Sequence, residues 1–262
     1  MSDMASSSPN PVRINILGVN ISAINMAMAV NTIENWIAHC DQHYVCVTPA
    51  HGVMECQGNA ELRQIFNSSG LTTPDGMGIV WLLKLKGQRH VDRVYGPDLM
   101  LAICERSLNC GWRHFFYGGS TQVVEELAQR LQARFPGLNV LGTYSPPFRP
   151  LTDEEDRLLI KQINALEPDI VWTGISTPKQ ERWMADHIGR IKAPVFIGVG
   201  AAFDFLSGHK RQAPKWVQRA GLEWLFRLVN EPNRLWRRYI QYPLFILLVL
   251  AQTLRIKRFP IE

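Results

Sequence analysis

Short apolar runs alternate along this chain with longer stretches in which apolar residues recur at helical spacing. Runs at 12–17, 44–48, 71–74, 114–117, 139–143, 169–174 and 195–200 read as strands. Between them the pattern predicts helices at 22–39, 60–68, 78–85, 98–109, 121–135, 153–166 and 178–191. Repeated βα units predict an α/β body, a Rossmann-like, mostly parallel sheet flanked by helices. Ligands of such sheets bind beyond the carboxyl ends of the strands, so the residues just after each strand are where chemistry belongs. Some punctuation is structural. Thr152 and Glu155 fit a capping box at the start of the helix at 153–166, a stronger reading of that acidic run than metal binding.

After Gly208 the alternation stops. Residues 214–230 read as an amphipathic helix carrying Trp216, Val217, Ala220, Trp224, Leu225 and Leu228. A basic-aromatic stretch follows, with Arg234, Trp236, Arg237, Arg238, Tyr239 and Tyr242, and then an apolar run at 243–254 closed by Arg255, Lys257 and Arg258. That run is far shorter than the roughly 20 residues needed to span a bilayer, and suits a helix lying in the membrane interface. An ordinary core helix with a basic outer face is the alternative. The pattern divides the chain into a polar lead-in at 1–11, expected to be disordered, an α/β catalytic domain at 12–208, and a basic, helical, membrane-associating appendage at 209–262. The body's own alternation predicts a core that does not depend on the appendage.

Charge sharpens this division. Residues 209–262 hold eleven Lys and Arg against three Glu, a balance of +8, while the rest of the chain is at −3 and the whole at +5. A mildly acidic body with a basic end points to an anionic partner for that end, either a lipid surface or nucleic acid. The five cysteines show no C-x-x-C pair and no zinc-ligand spacing, and read as reduced, buried thiols of a cytoplasmic chain. The first residues lack the apolar stretch of a signal peptide.

Several strand ends carry candidate chemistry. Thr48 and His51 follow the run at 44–48, where a hydroxyl and an imidazole contact a ligand or merely cap the next helix. Asp75 stands in a Pro-Asp-Gly turn after 71–74, either as a turn residue or as a general base at the mouth of the sheet. Arg93, just before a glycine turn, suits a phosphate, a carboxylate or a surface ion pair. Gly118 and Gly119 form a strand–Gly-Gly–helix junction whose backbone N–H groups suit an anion. Lys179 and Gln180 open a helix and could bind phosphate or sugar. Gly198-Val199-Gly200 offers G-x-G without the third glycine of the dinucleotide fingerprint, so a nicotinamide dehydrogenase is disfavoured while a backbone pocket for a nucleotide stays open. There is no P-loop, H-E-x-x-H, G-x-S-x-G or D-x-D. A glycosyltransferase without D-x-D would need arginines, lysines or helix N-termini to stabilise a departing diphosphate.

Taken together, the blocks TTPDGMG (72–78), RVYGPDL (93–99), FFYGG (115–119), TPKQERW (177–183), IGVGAAFD (197–204), RQAPKW (211–216) and GLEWLFRLVNEPNR (221–234) resemble the WecG/TagA/CpsF bacterial glycosyltransferases. The resemblance runs in order over about residues 12–240. It implies an inverting, metal-independent transferase with no bound cofactor. It also implies a UDP-sugar donor and a polyprenyl-diphosphate-linked saccharide as acceptor, in cell-surface polysaccharide synthesis. It matches Asp75 to the family's general base, and Thr48, Arg93, Gln180 and Asp204 to polar positions of its cleft. Gly118, Gly119 and Gly200 belong to the same set of substrate-binding candidates. Arg227, Arg234 and Arg237 match basic positions of an appendage that completes the site at the membrane. Ala50 departs from the pattern, where the family often has Asn, and leaves the donor sugar open. The expected location is cytoplasmic, peripheral on the inner face of the membrane, bound to its anionic surface; a homo-oligomer stays open. The chemistry is consistent, since inversion needs one in-line displacement and a single carboxylate suffices to take the acceptor's proton. Two rival readings are another sugar-nucleotide-using enzyme with a soluble substrate and a nucleic-acid-binding module with a basic tail. The apolar run at 243–254 argues against nucleic acid as a partner.

Overall fold

A computed structural model describes residues 11–261. The lead-in expected at 1–11 lies, apart from Pro11, outside the described residues. Strands β1 (Arg13–Ile16) and β2 (Val19–Ser22) pair as an antiparallel hairpin. The main sheet holds β3 (His43–Thr48), β4 (Leu71–Pro74), β5 (Arg113–Gly118), β6 (Asn139–Tyr144), β7 (Ile170–Gly174) and β8 (Val195–Gly198). Their order is β4-β3-β8-β7-β5-β6, and every ladder is parallel. The α/β fold expected from the alternation is therefore present.

Among the described residues nine α-helices accompany the body: α1 (Met26–His39), α2 (Ala50–Glu55), α3 (Ala60–Ser68), α4 (Met77–Leu85), α5 (Gly96–Cys110), α6 (Thr121–Arg134), α7 (Asp153–Leu166), α8 (Lys179–His187) and α9 (Ala202–Leu206). Strand side chains alternate between two cores, as the pleat requires. Tyr44, Cys46, Phe115 and Tyr117 point to one face, covered by α2, α3, α4, α7 and α8. Val45, Val47 and Phe116 point to the other, covered by α1, α5, α6 and α9. After the adjacent strands β3 and β8 the chain thus leaves to opposite faces, toward α2 and α9, and a crevice opens between them. The capping box at Thr152 is formed: its hydroxyl accepts from the Glu155 N–H at 3.2 Å, and Glu155 accepts from the Thr152 N–H at 2.8 Å.

Three expectations are corrected. The run at 12–17 does not join the parallel sheet. Leu17 and Gly18 both have positive φ, 52° and 84°, and turn the chain back into β2, so Ser22 ends a strand rather than opening the helix predicted at 22–39. Helix α1 begins only at Met26, capped by the Asn25 side chain. The predicted helix at 214–230 is two helices, α10 (Lys215–Arg219) and α11 (Glu223–Asn230), broken at Gly221, whose φ of +72° an L side chain rarely adopts. Of the thiols, Cys46, Cys56 and Cys104 are buried, whereas Cys40 and Cys110 are exposed.

The appendage continues with α12 (Pro232–Tyr239) and α13 (Tyr242–Thr253). Trp224, Tyr239 and Tyr242 pack edge to face with centroids 5.1–5.9 Å apart and tie α11, α12 and α13 together. Packing does not stop at residue 208. Phe245 and Val249 of α13 are buried in the same core as Val53 of α2 and Met184 of α8. The body's core is therefore not independent of the appendage, because an apolar stripe of α13 fills its edge. Among the described residues no helix is long and apolar enough to cross a membrane.

Candidate active site

The carboxyl ends of β3, β4, β5, β7 and β8 open into one cleft of about 1440 Å³. Its floor is the crevice between the two helical layers. Its far wall comes from the appendage, which contributes Arg227, Arg234 and Arg238.

Asp75 sits directly after β4, where the Asp75 N–H donates to the Thr48 carbonyl at 3.3 Å and so fixes the turn to the end of β3. Its side chain lines the cleft. Oδ1 is buried and has no hydrogen-bond partner within the protein. Arg93 stands behind it: Nε donates to the Asp75 backbone carbonyl, and Nη2 lies 3.5 Å from Oδ1. The same guanidinium donates to Glu223 of α11 at 2.6 Å and lies 4.0 Å above the Tyr95 ring. Burial pushes the Asp75 carboxyl up to about 6; Arg93 and Arg227 pull it down and Glu223 adds to the rise. A carboxyl poised near neutrality at the edge of the cleft is suited to take a proton.

A second polar cluster comes from the start of α8. Gln180 is buried and lines the cleft. Its amide N–H donates to Glu181 at 3.0 Å, and Glu181 also accepts from the Thr177 hydroxyl at 2.9 Å. That arrangement leaves Gln180 Oε1 buried and unpartnered. His51 of α2, also in the lining, has its Nε2 buried without a partner. Burial, then the nearby Arg238 and Arg227, hold its pKa well below the ordinary histidine value, so it is neutral at pH 7. Buried polar atoms are nearly always paired within a protein; several unpaired ones around one cleft mark a ligand site.

The basic wall is held by a chain of ion pairs that reaches the body at Asp204. Lys210 joins Asp204 at 2.9 Å and Glu231 at 3.4 Å, and Arg234 donates to Glu231 at 2.6 Å. The Arg227 guanidinium stands 5.6 Å from the Phe205 ring. Among the described residues no group of three or more His, Cys, Asp or Glu is placed to hold a metal ion.

Residues 14–259 match the WecG/TagA/CpsF family of glycosyl transferases. The chain belongs to this family. It is therefore a glycosyltransferase, and the family's span takes in both the α/β body and the appendage. Two relatives carry the name N-acetylglucosaminyldiphosphoundecaprenol N-acetyl-beta-D-mannosaminyltransferase. One, from Bacillus subtilis, is 31% identical over 246 residues, 90% of this chain and 93% of its own. The other, from Bacillus spizizenii, is 31% identical over 227 residues, 83% and 86% of the two chains.

The candidate site residues fall into two groups in space. Asp75, Gly119, Gln180, Gly200, Asp204, Arg227 and Arg234 line the cleft. Thr48, Arg93, Gly118 and Arg237 do not. The Thr48 hydroxyl is fully buried and donates to the Cys46 carbonyl at 2.9 Å. Arg93 backs Asp75 rather than facing the opening. Gly118 serves the sheet, since a Cβ there would stand 2.6 Å from the Gly174 backbone. Arg237 is exposed and lies over Trp236, and its neighbour Arg238 turns inward instead. Glu223, Tyr95 and Arg238 were not among the sequence candidates. Glu223 reads as an ordinary first-turn acid of a helix. Only its position four residues before Arg227, on the same helical face, hints that it turns toward the site.

Proposed function

We propose that this glycosyltransferase moves an N-acetylhexosamine or hexose unit from a UDP-sugar to a lipid-diphosphate-linked saccharide, by single displacement with inversion. The observation that carries the reading is Asp75. It is a largely buried carboxylate at a strand end that lines the cleft together with Arg227, Arg234 and Arg238. Asp75 takes the proton of the acceptor hydroxyl as that oxygen attacks the sugar's anomeric carbon. The UDP leaves from the opposite side with growing negative charge. Arg227, Arg234 and Arg238 meet that charge, and so stabilise the transition state more than the ground state. This set of cations supports a reaction that needs no divalent metal. The neutral His51 and the Gln180 carbonyl offer hydrogen bonds to sugar hydroxyl or amide groups.

The two Bacillus relatives support N-acetylglucosamine-diphospholipid as the acceptor type and N-acetylmannosamine as the first donor to try. A membrane-surface location is supported by the appendage. Leu225, Val229, Trp236, Ile240, Leu247 and Ile256 are exposed there, among Arg237, Arg255, Lys257 and Arg258. Such a surface supports an enzyme that works beside a lipid-linked acceptor on the cytoplasmic face. The test is a screen of UDP-sugars with a synthetic lipid-diphosphate N-acetylglucosamine, read by mass spectrometry with and without EDTA. Product mass one sugar larger, formed equally in EDTA, is the expected result. Transfer only to soluble acceptors, or only with added Mg²⁺ or Mn²⁺, would overturn it.

A further inference from the structure

The Arg93 guanidinium faces two carboxylates and serves them unequally. Glu223 Oε2 accepts its hydrogen bond at 2.6 Å, whereas Asp75 Oδ1 lies 3.5 Å from the same nitrogen and has no hydrogen-bond partner. Both partners of the shorter pair are shielded: Arg93 is 14% and Glu223 12% exposed at the side chain. Glu223 is itself held, because its Oε1 accepts from the Tyr95 hydroxyl at 3.1 Å, and the Tyr95 ring lies beneath the guanidinium. Gln218 takes a further Arg93 N–H at 3.4 Å. Glu223 and Gln218 both come from the appendage, more than 120 residues along the chain from Arg93.

Without Glu223 this arrangement would relax in a definite direction. An arginine beside a single carboxylate closes on it in a bidentate fork. Arg93 is already anchored through Nε to the Asp75 backbone, so only a small rotation separates Nη2 from hydrogen-bond contact with Oδ1. That contact would hold the carboxylate in a tight ion pair and lower its basicity. The other groups bearing on Asp75 are Tyr95 beside Arg93, Arg227 of α11 and Tyr242 of α13. Glu223 is the only other carboxylate in that set.

We infer that Glu223 is a positioning residue that draws Arg93 away from the Asp75 carboxylate and keeps that carboxylate basic enough to act as the base. The inference rests on the reading of Asp75 as base. Through Glu223 the appendage supplies a negative charge that tunes the proton acceptor, in addition to its cations.

The test is the pH dependence of kcat/KM for Glu223→Gln, together with the titration of Asp75 followed by NMR on protein labelled with ¹³C at the aspartate carboxyls. The Asp75 signal is the one absent from Asp75→Asn. Removing the Glu223 charge should move both the acid limb and the Asp75 titration to lower pH by about one unit. Turnover on the plateau should fall about tenfold, as a weaker base predicts. Glu223→Asp, which keeps the charge but withdraws it by one methylene, should shift both in the same direction by less; it serves if the glutamine variant does not fold. Unchanged limb and titration in a folded variant overturn the inference and leave Asp75 as base untouched. Wild-type turnover in Asp75→Asn overturns the base assignment itself.

Discussion

Gln252, near the end of α13, accepts the backbone N–H of Leu17 at 3.1 Å, 235 residues away in sequence. The same side chain donates to Asn15 at 3.2 Å. The last helix is thereby stitched to the turn of the first hairpin, and Phe245 and Val249 reach the core beside that seam. Removing residues 221–262 should therefore uncover an apolar edge and lower the melting temperature of the body. Phe245→Ala alone should cost about 3 kcal/mol, the usual loss for a large core side chain. Thermal denaturation of the truncated chain and chemical denaturation of the substituted chain measure the two; a truncated body as stable as the full chain would contradict the docking.

The inward turn of Arg238 gives a second expectation. Arg238→Gln should lower turnover about 10²-fold, as loss of a group that meets developing charge does. Arg237→Gln, whose side chain is exposed over Trp236, should lower it less than about tenfold. Steady-state kinetics on the pair decides, and equal losses would show that Arg238 has no special place in the cleft.

Much of this was legible in the sequence. Every strand of the parallel sheet lies on a predicted run, and the signal is strongest in the central strands, which are buried on both faces and mostly apolar. Asp75 was found because the strand ends where a Pro-Asp-Gly turn begins. The hairpin turn at Leu17 was not legible, since leucine at positive φ is held there by tertiary packing and carries no turn signature. Nor was the inward face of the appendage. Its phase depends on breaks at Gly221 and at Glu231-Pro232, and a one-residue change of phase exchanges Arg237 for Arg238. Glu223 was missed for the same reason, because its partners Arg93 and Tyr95 are brought to it only by the docking of α11.

Membrane attachment should be separable from chemistry. Replacing Leu225, Val229, Trp236 and Ile240 by Ser, or Arg255, Lys257 and Arg258 by Gln, should weaken binding to anionic liposomes. Each basic group near such a surface contributes about 1 kcal/mol. Activity on a detergent-solubilised short-chain acceptor should remain, because none of these side chains lines the cleft. Co-sedimentation unchanged in both variants would remove this surface from the account.

The elevated Asp75 pKa also fixes the sign of a stability effect. The ordinary value is 3.8 and the folded value about 6, so the folded chain holds this proton more tightly than the unfolded chain. The stability this gives is fully present below pH 3.8 and is lost as pH rises through about 6. Asn mimics the protonated side chain and escapes that loss. Asp75→Asn should gain stability relative to the wild type between pH 4 and pH 7, by on the order of 3 kcal/mol. A difference that is flat with pH would mean that the carboxylate is not under strain in the fold.

The central claim is that Asp75 removes the acceptor's proton, and single-turnover transfer by Asp75→Asn with UDP-sugar and lipid-diphosphate acceptor tests it most directly. The account predicts a rate about 10² to 10⁴ times slower, with UDP binding by calorimetry close to that of the wild type. A wild-type transfer rate in that variant would contradict it.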